Sequence, residues 1–160
     1  MASPDRQSTD RRGPDHAAAP TPRAEVALDQ TFDAESLVAL RSAVAAHGAD
    51  LGLTEHRVGD LVLVAHELAS NAVRHGGATS ASPGRLRLWR DGASVVCEVS
   101  DTGPGLADPD RVGMRPVPPA ESNGRGLWII RRVVDRLHID TGPDGTTLTT
   151  TLSLDGGSPG

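Results

Sequence analysis

Apolar residues recur at helical spacing in three segments of the chain and alternate with polar residues in five others. A helix places every third or fourth side chain on one face, whereas a strand alternates its two faces. The predicted strands are 24–32, 85–90, 94–100, 137–140 and 146–154, and the predicted helices are 33–47, 55–75 and 126–134. Asp33 and Thr54 are the expected helix N-caps, and Gly48 and Gly76 the expected stops. This order predicts an α+β two-layer sandwich, with helices on one face of a mostly antiparallel sheet.

The ends of the chain differ in composition from its middle. Residues 1–23 contain four prolines among Ser, Asp, Arg and Ala and almost no large apolar side chain, which predicts a disordered tail. Residues 156–160 are expected to be a frayed C-terminus. One folded domain is therefore predicted at 24–155. Within it, the Pro-, Asp- and Gly-rich stretch 106–122 is predicted to be a long loop, and loops of that length are usually functional.

Composition narrows the classes of function. Apolar residues make up 37% of the chain and aromatic residues 2%, so Leu, Val, Ile and Ala must build the core. The net charge of −5 and the lack of a strongly basic run argue against nucleic-acid binding. The chain has no lysine, which excludes a P-loop.

Neither a membrane span nor a signal peptide is recognisable in the sequence, so we expect no membrane contact and a cytoplasmic location. Cys97, in a strand pattern, is expected in the core.

The second predicted helix carries a polar stripe of Glu67, Asn71 and Arg74 on one face. By itself such a stripe is ordinary for a helix face in water. The pair His66-Glu67 begins a zinc-binding HExxH pattern, but Ser70 stands where the second His is required, which excludes zinc. A phosphoacceptor role for His66 is disfavoured, because the segment continues into Asn71-Ala72-Val73-Arg74-His75, which suits a nucleotide-binding helix better.

Two glycine-containing segments follow that helix. Asp101 ends a strand and precedes Gly103 and Gly105. This pattern is typical of a surface turn. It is also typical of a buried carboxylate that accepts a hydrogen bond from the adenine amino group, where the glycines let the backbone approach the base closely. Gly124 and Gly126 precede a helix, whose N-terminal N–H groups favour phosphate. Each signal is weak alone, but the three segments in this order indicate a nucleotide site.

With these motifs, the chain resembles the GHKL (Bergerat) family of ATPases. Glu67 to His75 resembles the N box, Asp101 to Gly105 the DxGxG box, Gly124 to Leu127 the GxGL box, and Gly145 to Leu148 the late G-T motif. Within the family it is most similar to stand-alone serine kinases that act as anti-sigma factors. The cues are the short chain, the glutamate four residues before the N-box asparagine, and the Gly-Arg-Gly-Leu-Trp-Ile-Ile run.

The resemblance implies ATP and Mg²⁺ as cofactors and a role for each motif residue. Asn71 would hold Mg²⁺, Glu67 would be the general base, and Asp101 would bind adenine N6 with Thr146 assisting through water. The remaining implied nucleotide-binding residues are Arg74, His75, Gly103, Gly105, Gly124, Arg125, Gly126 and Leu127, with Arg74 and Arg125 as candidate phosphate contacts.

The resemblance also implies an activity and partners. The chain would transfer the ATP γ-phosphate to Ser or Thr of an anti-anti-sigma (STAS) protein and regulate transcription by partner switching, with a sigma factor as a further partner. A homodimer is implied, and the first strand and helix are the suspected interface. Two alternatives remain: a non-catalytic ATP-sensing binding protein, and a detached histidine kinase catalytic domain.

Overall fold

The computed structural model describes residues 19–22, 25–106, 109 and 125–156. Its helices and strands are, in chain order, β1 Val26–Phe32, α1 Leu37–Asp50, α2 Glu55–Arg74, β2 Gly84–Asp91, β3 Ser94–Asp101, α3 Arg125–Val133, β4 Arg136–Gly142 and β5 Gly145–Ser153. Most of the predicted tail, nearly all of the predicted loop at 106–122 and most of the predicted frayed end lie outside the described residues.

The strands form one five-stranded sheet in the order β1-β2-β3-β5-β4, and each neighbouring pair is antiparallel. The helices pack on one face of this sheet. α1 contacts β1, α2 crosses β2, β3 and β5, and α3 lies between α2 and β4. The predicted α+β two-layer sandwich is therefore confirmed.

The core lies between the sheet and the helices. Alternating residues of β2 and β3 point into it, among them Leu86 and Leu88 on β2 and Val95, Cys97 and Val99 on β3, all of which are buried. The expected core position of Cys97 is confirmed, and burial raises the pKa of its thiol to about 12. The thiol is therefore protonated at physiological pH and packs as a small apolar group.

The start and end of α1 differ from the prediction. The Asp33 carboxylate accepts hydrogen bonds of 3.0 Å from the N–H groups of Glu35 and Ser36, which forms a turn ahead of the helix rather than its cap. Gly48 does not stop the helix, which continues to Asp50. Gly48 is buried, and a Cβ atom there would lie 2.8 Å from Leu61 Cδ2. This glycine allows α1 and α2 to pack closely, a requirement that its local sequence does not reveal.

α2 is the central helix, with 20 residues. The predicted N-cap is confirmed, because the Thr54 side chain accepts a hydrogen bond of 3.2 Å from the Arg57 N–H. The apolar face, which includes Leu61, Leu68 and Ala72, is buried against the rest of the core. In the part of the chain that the structure describes, no helix combines the length and apolar character needed to cross a membrane.

Candidate functional site

The polar face of α2 meets the first turn of α3. Glu67 and Asn71 are one helical turn apart on α2, and both are partly buried. A Cβ atom built on Gly126 would lie 2.6 Å from Glu67 Oε2 and 3.6 Å from the amide atoms of Asn71. The first distance is too short for a real Cβ atom, so a side chain at this position would displace the Glu67 carboxylate. The structure thus brings a carboxylate and an amide to the N-terminal end of a helix.

Asp101 ends β3 beside Thr146 of β5. Its Oδ1 accepts a hydrogen bond of 2.9 Å from the Gly103 backbone N–H. Burial raises the pKa of the Asp101 carboxyl above its ordinary value, while hydrogen bonds from the backbone N–H groups of Gly103 and Thr146 counteract part of that rise. A carboxylate has about four lone-pair sites, so Asp101 retains acceptor capacity for a ligand donor.

The segment that follows α2 packs directly on Asp101. A Cβ atom on Gly76 would overlap Oδ2 and Cγ of Asp101, and a Cβ atom on Gly103 would overlap the carbonyl group of Gly76. From the sequence, Gly76 is predicted only to end a helix, and its contact with Asp101 is not predicted. A signal is present, because one glycine is enough to end a helix and two, Gly76 and Gly77, follow this one.

An open cleft lies between α2, β3, β5 and the loop after β3. Six of the predicted site residues line this cleft: Asn71, His75, Asp101, Gly105, Leu127 and Thr146. The other lining residues were not predicted as site residues from the sequence; they are Leu68, Ala72, Gly76, Val99, Leu106 and Leu148. Most of these are apolar, so the walls suit a flat aromatic base while Asp101 supplies an oriented polar contact.

The remaining predicted site residues lie elsewhere. Arg74 is exposed and does not line the cleft as far as the structure describes it. Glu67 and Gly126 adjoin Asn71, and Gly103 lies behind Asp101 against the end of α2. Gly124 and the side chain of Arg125, the two remaining GxGL positions, lie outside the described residues.

The groups around the cleft fit a nucleoside triphosphate with magnesium. Asp101 offers an acceptor for an amino group of the base, and its surroundings are apolar. The Asn71 amide oxygen is a hard ligand of the kind that Mg²⁺ prefers. The N-terminal end of α3, at Gly126, favours negative charge. This donor and acceptor set is consistent with the implied cofactors.

The fold and the cleft together define a nucleotide-binding α+β domain. Residues 31–152 match the family described as the histidine kinase-like ATPase domain. The chain belongs to this family, which confirms the predicted GHKL resemblance, and membership implies ATP binding.

Two similar proteins are anti-sigma F factors. The chain is 26% identical over 112 residues to the anti-sigma F factor of Thermoanaerobacter sp. (strain X514), covering 68% of this chain and 78% of that protein. The anti-sigma F factor of Thermoanaerobacter pseudethanolicus (strain ATCC 33223 / 39E) matches at the same identity and coverage.

Solved structures agree with this fold. The structure of the RsbU and RsbW domains of Rv1364c from Mycobacterium tuberculosis superposes with a TM-score of 0.60 and 25% identity, over 79% of this chain and 32% of that one. The chain thus spans about a third of that protein. The Acinetobacter baumannii histidine kinase AdeS, with a TM-score of 0.50 and 16% identity over 80% of this chain and 68% of that one, shows the shared fold alone.

Proposed function

We propose that this protein is an ATP-dependent serine/threonine-protein kinase of the anti-sigma factor type. Its substrate would be a Ser or Thr hydroxyl of an anti-anti-sigma (STAS) protein, and its output would be the exchange of that protein for a sigma factor. The observation that carries the proposal is the position of Glu67, whose Oε2 faces Gly126 at the start of α3 beside Asn71. The similarity to anti-sigma F factors supports the choice of substrate class.

In this proposal, nucleotide binding and transfer use different residues. Asp101 accepts a hydrogen bond from the adenine amino group, and the apolar lining, including Leu148, contacts the base. Asn71 holds Mg²⁺, and the backbone N–H groups at the start of α3 face the phosphates. When bound, ATP supplies the phosphoryl group and Mg²⁺ offsets part of its negative charge.

Glu67 has the proton-transfer role. Its carboxylate would accept the proton of the attacking hydroxyl while that oxygen bonds to the γ-phosphorus and the bond from this phosphorus to ADP breaks, with ADP as the leaving group. The absence of a side chain at Gly126 leaves room for this carboxylate beside the start of α3. Since phosphoryl transfer depends mainly on positioning and charge stabilisation, a carboxylate placed beside the phosphate-binding end of α3 suits this role.

The assembly is also part of the proposal. We expect a homodimer, with β1 and α1 as the interface. Val38 on α1 is apolar but 75% exposed, which suits a protein contact. Analytical ultracentrifugation of wild type and a Val38→Glu variant tests this interface, because a buried charge there would dissociate the dimer.

The kinase assay combines the purified chain, Mg²⁺, γ-labelled ATP and an anti-anti-sigma protein. We expect an acid-stable labelled product, strong loss of label with Glu67→Gln, and ATP affinity within about threefold of wild type in calorimetry. Glu55→Gln is the matched control, because Glu55 is an exposed residue in the first turn of the same helix.

The other outcomes identify the alternatives. ATP binding without transfer to any protein would replace the kinase with an ATP-sensing binding protein. An acid-labile product would indicate a phosphohistidine and thus a histidine kinase catalytic domain. Equal transfer by Glu67→Gln and wild type would reject Glu67 as the general base.

A further inference from the structure

Thr141, near the end of the edge strand β4, lies outside every motif that the sequence analysis singled out. Its Oγ1 accepts a hydrogen bond of 2.9 Å from the Leu106 backbone N–H. The same Oγ1 lies 2.8 Å from Thr146 Oγ1, which is a hydroxyl–hydroxyl hydrogen bond. Leu106 and Thr146 both line the cleft. Thr141 does not line the cleft itself, but it is hydrogen-bonded to two residues that do.

The loop between Asp101 and Leu106 lies against the turn that joins β4 and β5. Gly105 has a φ of +92°, and a Cβ atom there would lie 2.5 Å from the Gly142 carbonyl oxygen and 3.1 Å from Thr141 Oγ1. This conformation leaves no room for a side chain. At its other end, the loop is fixed by the Gly103 N–H on the Asp101 carboxylate. Hydrogen bonds therefore hold the loop at both ends, and the Thr102 hydroxyl adds one of 2.7 Å with the Ser82 hydroxyl.

These contacts connect the edge strand β4 to Thr146, the residue beside the carboxylate. The Thr141 hydroxyl is hydrogen-bonded to the Thr146 hydroxyl, and Thr146 lies directly opposite Asp101 in the β3–β5 pair. Thr146 is 6% exposed, so its hydroxyl has few partners in water and its direction depends on Thr141. The Thr141 hydroxyl thus influences both the loop wall of the cleft and the side chain beside its carboxylate.

We propose that Thr141 is a positioning residue that sets the geometry of the base-binding end of the cleft and thereby the selectivity for adenine. This inference rests on the proposed ATP binding at the cleft. Adenine presents an amino donor where hypoxanthine and guanine present a carbonyl oxygen. A carboxylate favours the donor and repels the carbonyl, but only while it stays aligned with the base. Selectivity of this kind is lost when the aligned polar group shifts.

The test uses the full chain with ATP and inosine triphosphate as probes. Thr141→Val keeps the side-chain shape but removes the hydroxyl, which leaves the Leu106 N–H without its acceptor. We expect the Kd for ATP to rise about tenfold and the Kd for inosine triphosphate to change less than about twofold. Thr141→Ser, which keeps the hydroxyl, should retain the wild-type ratio of the two affinities. If the chain is active, KM for ATP should rise while kcat at saturation stays constant.

Thr147→Val is the matched control, because Thr147 is the next residue after Thr146 on β5 and its side chain points to the other face of the sheet. It should leave both affinities unchanged. If Thr141→Val does not fold, Thr141→Ala takes its place, and the comparison with Thr141→Ser is the same.

Failure of this inference is distinguishable from failure of the proposed function. Absence of ATP binding by the wild-type protein would reject the proposed nucleotide site itself. Binding by wild type with an unchanged affinity ratio in Thr141→Val would reject only the role of Thr141. An equal loss in Thr141→Ser and Thr141→Val would also reject it, because the loss would then follow from packing and not from the hydroxyl.

Discussion

Arg57, in the first turn of α2, donates a hydrogen bond of 2.8 Å from Nη2 to Asp135 Oδ2 at the junction of α3 and β4. Nη1 donates to Asp60 Oδ2 at 3.0 Å and to the Val133 carbonyl oxygen at 3.3 Å, and Nε donates to the Ser153 carbonyl oxygen at 3.0 Å. One buried guanidinium therefore joins the start of α2, the end of α3 and the end of β5. Since α3 carries Gly126 at its other end, the hydrogen bonds of Arg57 also help to position the site end of α3 relative to α2.

Removal of that guanidinium should destabilise the fold. The Arg57 side chain is 6% exposed, so Arg57→Met leaves the partly buried Asp60 and Asp135 without their cation. We expect the free energy of unfolding to fall by about 3 kcal/mol in urea titrations. Arg85→Met is the control: the Arg85–Asp29 pair is half exposed on both sides, and its loss should have no measurable effect. Equal stability of the two variants would contradict the structural role of Arg57.

The fold was predictable where the pattern is local. The alternation in 85–90 and 94–100 and the caps of α2 depend on neighbouring residues, so the hairpin and the central helix were predicted correctly. The end of α1 was predicted wrongly because Gly48 serves a contact with Leu61 on another helix. A glycine that permits close packing and a glycine that ends a helix look the same in a sequence.

The residues of the site were predictable where they belong to a sequence motif. Asn71, Asp101 and Thr146 were identified through motifs, and the structure places all three around one cleft. Gly76 and Thr141 were missed because each acts through a partner distant in sequence, Asp101 in one case and Leu106 in the other. Sequence spacing carries no information about contacts that only the folded sheet creates.

Gly76→Ala should impair nucleotide binding and also lower stability, because the methyl group would lie 2.9 Å from the Ala72 carbonyl oxygen. The added methyl group would overlap the Asp101 carboxylate and force it away from the position in which it faces the cleft. We expect the Kd for ATP in calorimetry to rise at least about tenfold.

Gly59→Ala serves as the control for this substitution. Gly59 lies within α2, and no described atom lies within 4 Å of a Cβ atom built there. Its replacement should raise the free energy of unfolding by about 0.5–1 kcal/mol and leave ATP binding unchanged. Wild-type affinity in Gly76→Ala would show that Asp101 does not need this glycine.

Asp101→Asn should change stability and binding in opposite directions. Burial raises the pKa of the Asp101 carboxyl in the folded protein. The free energy of unfolding of wild type therefore decreases as pH rises from the unfolded pKa, about 3.9, through the folded one, because the unfolded chain releases its proton first. An asparagine does not ionise and avoids this cost.

Urea titrations across that pH range measure the difference. We expect Asp101→Asn to gain stability relative to wild type as pH rises through the window, and to keep the gain at neutral pH. ATP binding should fall at least about tenfold, since the amide offers a weaker acceptor than the carboxylate. Parallel stability curves for the two proteins would mean that the raised pKa has no consequence for folding.

Gly126→Ala should slow phosphoryl transfer through its effect on Glu67. The new methyl group would lie 2.6 Å from Glu67 Oε2, so the carboxylate must move away from the start of α3. A displacement of about 1 Å at a reacting group can reduce the rate by about 100-fold, so kcat should fall far more than ATP affinity. A double-mutant cycle with Glu67→Ala tests the mechanism. Once Glu67 is absent, the Gly126→Ala substitution should cost little further activity, whereas independent, additive losses would mean that Gly126 acts on the reaction by another route.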